Sequence, residues 1–397
     1  MKRFLIALCV LVMMAGICCA EDMQEKELPI FYATTTTTFH LRPEKESEER
    51  LNYVSSGTRA DVYEVQDGWC RVMIKGTEGW CKDRWLNFIK STNIQKEPQY
   101  EAITVQEFTI WLEPGSTRSL RKVPQGKFMT LYEYGEEWSQ ILYDGILGWC
   151  KTHLLWGFRS LNAKKYPVPG VVPNIGMVTL NQDTWIDSKD FVGMNARTGS
   201  FICVRSADES NYTLPVWRKE NTIPLENGDL TAFVPWEDAQ AGDVIGGFTT
   251  FYDENYGKDL AAERAYNIDL ACQRIHGIVL QPGERFSYND LCAPYKPTNG
   301  YKMAPNISAK GKGYGGGVCQ VTTTLYNALI PLPIQLEEWR VHQKIGVVYI
   351  PQYFDAAVGS FYDFIFNNTL PYPIRIFAQP QEGAITVLVY RADEPEA

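Results

Sequence analysis

Two stretches in the first half of the chain repeat one another, so this half must fold as units in series. Residues 68–86 read GWCRVMIKGTEGWCKDRWL and residues 137–155 read EWSQILYDGILGWCKTHLL. Trp69 and Trp80 return as Trp138 and Trp149, a shift of 69 residues. That period is too long for a solenoid and suits two small tandem domains. In the first copy, Ala60 to Val65 and Trp69 to Ile74 are β-branched and aromatic runs, followed by a turn at Lys75-Gly76-Thr77-Glu78. In the second, Phe128 to Tyr134 and Trp138 to Tyr143 precede a turn at Asp144-Gly145. Short turns between such runs predict antiparallel hairpins closing a small barrel. The aromatic content of 13%, with 11 Trp and 22 Tyr, fits β-rich modules with ring-lined grooves. Residues 160–175, rich in proline and glycine, read as a linker. Strand-like runs then resume, and residues 176–240 are expected to form a third, diverged barrel.

The first twenty residues carry a different signal. Lys2 and Arg3 precede an apolar stretch from Phe4 to Ile17, and Cys18-Cys19-Ala20 stands before Glu21. The stretch is too short to span a bilayer and has the order of a secretory signal over residues 1–20. Acylation of Cys18 or Cys19 is the alternative. No later window approaches the roughly 20 apolar residues of a membrane span. The expected mature protein is therefore secreted or associated with the cell envelope, and monomeric. Acidic residues outnumber basic ones by 47 to 38, a net charge of -9. That balance argues against nucleic-acid binding. Beyond the signal seven cysteines remain, Cys70, Cys81, Cys150, Cys203, Cys272, Cys292 and Cys319. An odd number leaves at least one thiol without a partner within the chain. Cys70 and Cys81 form a plausible cross-strand pair that the second copy lacks, because Ser139 replaces the first cysteine. There is no CxxC and the four histidines are scattered, so neither a metal site nor a cofactor is expected.

Residues 30–90 and 100–158 resemble bacterial SH3 domains. The likeness rests on the steps His40-Leu41-Arg42-Pro43 and Trp111-Leu112-Glu113-Pro114, on turns at Gly57 and Gly126, and on the GW hairpin. It implies docking to cell-wall peptide or glycan, with Trp80 and Trp149 as contact residues. The alternative places both tryptophans in the core. Glu113 stands where the first copy has Arg42, so the two copies need not share a ligand.

Beyond Gly246 the pattern changes. Ala261, Ala265, Ile268, Cys272 and Ile275 recur at steps of four and three, one face of a helix, with Gly277 as its stop. Residues 313–330 read GYGGGVCQVTTTLYNALI before Pro331. Val318, Val321, Leu325 and Leu329 share a side, predicting a helix that starts near Val318 and carries Cys319 in its first turn. Helix-terminal amides and the dipole favour a thiolate there and could hold an oxyanion. A glycine run lets a ligand approach the backbone. A cysteine nucleophile needs a base, and His342 with Asp355 as its orienting carboxylate completes a triad on paper. The bland reading of a lone histidine is a structural one.

Residues 246–393 are similar to the VanW domain family. The matching segments are Phe248-Thr-Thr-Phe, Leu280-Gln-Pro-Gly-Glu-Arg-Phe-Ser-Tyr-Asn, Asn299-Gly-Tyr-Lys and the run through Gly315, Gly316, Gly317, Cys319 and Gln320. His342, Tyr349-Ile-Pro351 and Asp355-Ala-Ala-Val continue the match. The resemblance implies a cysteine L,D-transpeptidase forming 3→3 cross-links between peptidoglycan stem peptides. Cys319 would be nucleophile, His342 base and then acid, and Asp355 the orienting group. Gly315, Gly316, Gly317, Gln320 and Tyr349 would face the stem. Two departures, Gln343 after His342 and Gln352-Tyr353-Phe354 before Asp355, bear on the stem pocket. An L,D-carboxypeptidase is compatible with the same residues, and a non-catalytic wall-binding or scaffolding protein is the rival from another class. The expected fold is multidomain α+β, small all-β barrels followed by an α+β domain.

Overall fold

A computed structural model describes residues 27–186, 194–215, 221–252, 260–307, 311–342, 347–381 and 383–393. The segment read as a signal, residues 1–20, and Gln343 lie outside the described residues. The fold is mostly strand, with 13% helix, arranged in several small sheets. Two compact units result. One comprises the chain through residue 97 with 109–122 and 142–149; the other comprises 98–108, 123–141 and everything from 150 onward.

The repeat is visible in the order of strands. Residues 31–91 form β1 (Phe31–Thr35), β2 (Arg59–Gln66), β3 (Trp69–Ile74), β4 (Thr77–Lys82) and β5 (Leu86–Ser91) in the order β4-β3-β2-β1-β5. The second copy contains β6 (Tyr100–Thr104), β7 (Phe108–Trp111), β8 (Ser119–Val123), β9 (Phe128–Glu133), β10 (Trp138–Tyr143), β11 (Ile146–Lys151) and β12 (Leu155–Ser160), in the order β8-β7-β11-β10-β9-β6-β12. Its last five strands correspond one for one with the first sheet. Neither ladder closes on itself among the described residues, so the expected barrels are open sheets here.

The glycine of each GW pair has a steric reason. Arg42 and Trp80 exchange backbone hydrogen bonds at 3.0 and 2.7 Å, and in the second copy Trp149 stands opposite Trp111. A Cβ at Gly79 would lie 2.9 Å from the Arg42 carbonyl oxygen. At Gly148 it would lie 2.7 Å from that of Trp111. Only a residue without a side chain lets the neighbouring segment approach so closely. Cys70 and Cys81 stand directly opposite across β3 and β4, as the hairpin requires, and both are buried free thiols.

Residues 176–240 form small sheets. β13 (Gly176–Leu180), β14 (Phe201–Val204) and β15 (Gly228–Ala232) pair in the order β14-β13-β15. Two short antiparallel sets lie beside them in sequence, and no barrel closes among the described residues. Beyond them, β16 (Val244–Phe251), β17 (Val279–Leu280), β18 (Ile374–Gln381) and β19 (Ala384–Arg391) form a sheet ordered β16-β19-β18-β17. Every residue of β16 is buried, as expected of a strand covered on both faces. Three helices accompany this sheet: α1 (Ala261–Ile275), α2 (Tyr288–Cys292) and α3 (Val318–Leu329). Helix α1 follows the expected register and ends at Ile275, with Gly277 at φ 80° two residues on. Helix α3 is the central one, buried at every position but Cys319. No helix among the described residues is long and apolar enough to cross a membrane.

Overpacking at either hairpin glycine should be costly. Gly79→Val and Gly148→Val are each expected to lower stability by about 1–3 kcal/mol, read as a lower urea midpoint in equilibrium unfolding.

Candidate active site

Helix α3 begins where the glycines end, and their own packing explains them. A Cβ at Gly316 would come within 2.4 Å of the Pro305 carbonyl oxygen, and one at Gly317 within 2.9 Å of Ile268 Cγ1. Gly315 and Gly317 also have φ of 76° and 108°, in the left-handed region. The glycine run thus seats the helix start against residues 304–305 and α1. Two amides of the first turn are already used: Val318 N–H donates to Gly315 O at 3.2 Å and Gln320 N–H to Gly317 O at 3.0 Å. Gln320 is buried as well. Its Oε1 accepts from Arg264 at 2.7 Å, and its Nε2 donates to Thr250 and Phe251 at 3.1 and 3.0 Å.

Cys319, at the second position of α3, is half-buried, whereas the other six described cysteines are buried. Burial pushes those six thiols up, Cys81, Cys150, Cys203 and Cys292 to about 12. The Cys319 sulfur receives the Val358 N–H at 3.5 Å and lies 3.5 Å from the Val358 carbonyl oxygen. Val358 belongs to a segment without regular secondary structure that packs against α3. One turn further along the helix, Thr323 Oγ1 accepts the Ala356 N–H at 3.0 Å. After another turn, Asn327 Nδ2 donates to Phe354 O at 2.7 Å. Asp355 is thereby held on both sides.

The triad proposed from the sequence comes together in space. Asp355 is fully buried, and its Oδ2 receives the His342 backbone N–H at 2.8 Å and lies 2.6 Å from His342 Nδ1. Trp339 Nε1 donates to the Asp355 carbonyl at 3.0 Å. Cys319 is also within hydrogen-bonding reach of the imidazole. Burial works to lower the imidazole's pKa, but hydrogen bonds to Asp355 and Cys319, with their negative charge, prevail and push it up to about 10. An imidazole held beside two acidic groups has this electrostatic signature. Asp355 Oδ1 is buried without a partner among the described residues, so His342 supplies the countercharge.

Three tyrosines lie within electrostatic reach of the sulfur. Burial raises the pKa values of Tyr349, Tyr295 and Tyr362, and the charge of Cys319 raises all three further. Tyr295 donates to Asn289 Oδ1 at 2.6 Å. Tyr349 is half-buried, and Phe361, next to Tyr362, is 96% exposed. The sequence reading names Tyr349 but not Tyr295, Tyr362, Thr323 or Asn327. The last two had a readable signal, since a threonine run and an asparagine inside an apolar helix need hydrogen-bond partners. Trp80 and Trp149 are both half-buried, and Lys45 lies 4.6 Å from the Trp80 ring centroid. Trp156 and Trp185 are more open. No group of three or more histidine, cysteine or acidic side chains among the described residues could hold a metal ion.

Residues 263–390, which carry this constellation, match the family model described as VanW like protein. Two curated proteins share sequence with the chain. The uncharacterized protein YoaR of Bacillus subtilis is 31% identical over 177 residues, 44% of this chain and 54% of that protein. The vancomycin B-type resistance protein VanW of Enterococcus faecalis is 29% identical over 90 residues, 21% of this chain and 32% of that protein. The chain thus spans about half of the first relative and a third of the second. Among solved structures, NlpC1 from Trichomonas vaginalis aligns over 53% of this chain and 94% of its own, at 10% identity and a TM-score of 0.17. An NlpC/P60 family protein from Bacillus cereus aligns over 50% and 98%, at 10% identity and a TM-score of 0.14. Scores this low carry no argument about fold or chemistry.

Iodoacetamide at neutral pH should label Cys319 well before any other cysteine, with the modified peptide identified by mass spectrometry. The His342 imidazole is raised above its ordinary 6.5. Its pairing therefore stabilises the fold fully below about pH 6.5 and loses that contribution as pH rises through about 10. Asp355→Asn should lower the imidazole titration, followed by NMR, by about 1–3 pH units. His342→Ala should flatten the alkaline fall of the unfolding midpoint.

Proposed function

We propose that the chain is an extracytoplasmic, cell-wall-modifying protein whose VanW-like domain is a cysteine L,D-transpeptidase. The observation that carries this reading is the half-open Cys319 sulfur facing an imidazolium that a buried carboxylate orients. A thiolate is the reactive form of cysteine, and a neighbouring imidazolium is a common device for forming one.

In the proposed cycle, Cys319 attacks the carbonyl of the L-to-D bond in a tetrapeptide stem. A carbon–sulfur bond forms, and the peptide C–N bond breaks. His342, charged in the resting state, gives its proton to the departing D-alanine amine. The neutral imidazole then takes a proton from the acceptor amine as that amine displaces the thiolate, forming the 3→3 cross-link. Asp355 keeps the imidazole oriented and offsets its charge throughout. Water as acceptor would make the same site an L,D-carboxypeptidase. Residues 30–90 and 100–158 serve in this reading as wall-docking modules that concentrate the catalytic domain on its substrate. The family match over residues 263–390 supports the cell-wall setting.

The decisive comparison is a wall digest from cells expressing the parent or Cys319→Ala. The expected result is loss of the 3→3 dimers in the variant. Equal dimers from both would overturn the enzyme reading in favour of a wall-binding or scaffolding protein, whereas free D-alanine without dimers would identify hydrolysis.

A further inference from the structure

Apart from the Cys319 site, the second unit encloses a cavity of about 530 Å³. That lies inside the range of roughly 300–1,000 Å³ common for small-molecule sites. One wall comes from residues 152–174 and the other from the end of α3 with residues 350–354. None of the residues proposed for catalysis lines it. We propose that this cavity binds an N-acetylated amino sugar of a glycan chain.

The lining has the groups such a ring requires. Trp156 is 44% exposed, and its ring stands edge-on to Phe354 at 6.4 Å and 88°. A tryptophan held in this way offers a flat apolar face with a negative quadrupole, which attracts the C–H face of a pyranose. Asn174 is buried at 8% exposure, and its Nδ2 donates to Gly247 O at 2.9 Å. Its Oδ1 is buried with no partner among the described residues. An unmet buried acceptor is costly, and a ligand amide N–H would remove that cost. Pro169 and Pro173 provide apolar contact for an acetyl methyl group, and the exposed Arg205 offers donors for hydroxyl or carbonyl oxygens. A pure hydrocarbon would leave the Asn174 oxygen unmet. A deacetylated sugar would lack both the amide N–H and the methyl group. That the glycan is the cell wall's own rests on the function proposed above; the chemistry of the cavity does not involve Cys319.

The test is a calorimetric titration of the full chain with the N-acetylglucosamine trimer and with its deacetylated counterpart. The acetylated trimer should bind at least about tenfold more tightly. Trp156→Ala should weaken its binding by a similar factor, and Cys319→Ala should leave it unchanged. Arg205→Ala, at an exposed position, should weaken binding several-fold and keeps the test sound if Trp156→Ala does not fold. No binding by the parent at millimolar trimer, equal affinity for the two trimers, or unaltered binding in the folded variants would overturn the proposal. Sugar binding without cross-linking would overturn only the enzyme reading, and cross-linking without sugar binding only this one.

Discussion

The site depends on a match of two repeats. Cys319, Thr323 and Asn327 lie four residues apart on one face of α3, and they meet Val358, Ala356 and Phe354, two residues apart on a segment without regular secondary structure. Four helical residues advance about 6 Å, and two residues of irregular chain can span up to about 7 Å. The spacings agree closely enough for three successive side chains to bind three alternate backbone positions. Asp355 sits inside this ladder, which explains how a fully buried carboxylate keeps one orientation. The threonine and asparagine that look misplaced in an apolar helix form the ladder's rungs.

The electrostatics follow from that placement. Burying Asp355 removes it from water and would be costly without a countercharge. The His342 imidazole supplies the charge and is raised in turn. Cys319 completes the set at the helix start. The glycines before it serve chiefly to bring the helix start close to residues 304–305 and α1, and Gln320 anchors the same end to Arg264 and β16. That leaves Cys319 as the one residue of α3 that is not buried.

Much of the architecture could be read from local signals. The repeat predicted matching antiparallel hairpins in both copies, because a step of eleven positions between paired tryptophans sets one hairpin length. The steps of four and three located α1, and the glycine run followed by Val318 located the start of α3. Barrel closure could not be read in this way, since alternation determines which side of a strand is buried and not whether the sheet's edges meet. Neither could the roles of Gly316, Gly317 and Gln320, whose neighbours are distant in sequence.

By itself, the sequence determined the tandem repeat, the helix starts and a cysteine, a histidine and an aspartate of suitable chemistry. Those depend on periodicity and residue type, which act over a few neighbouring positions. Only the tertiary structure decided that Cys319 is the half-open thiol, that Asp355 is buried against His342, and that Trp156 and Asn174 share a cavity. Each of these depends on packing between segments far apart along the chain, where burial and the balance of charge are set by elements that no local pattern brings together.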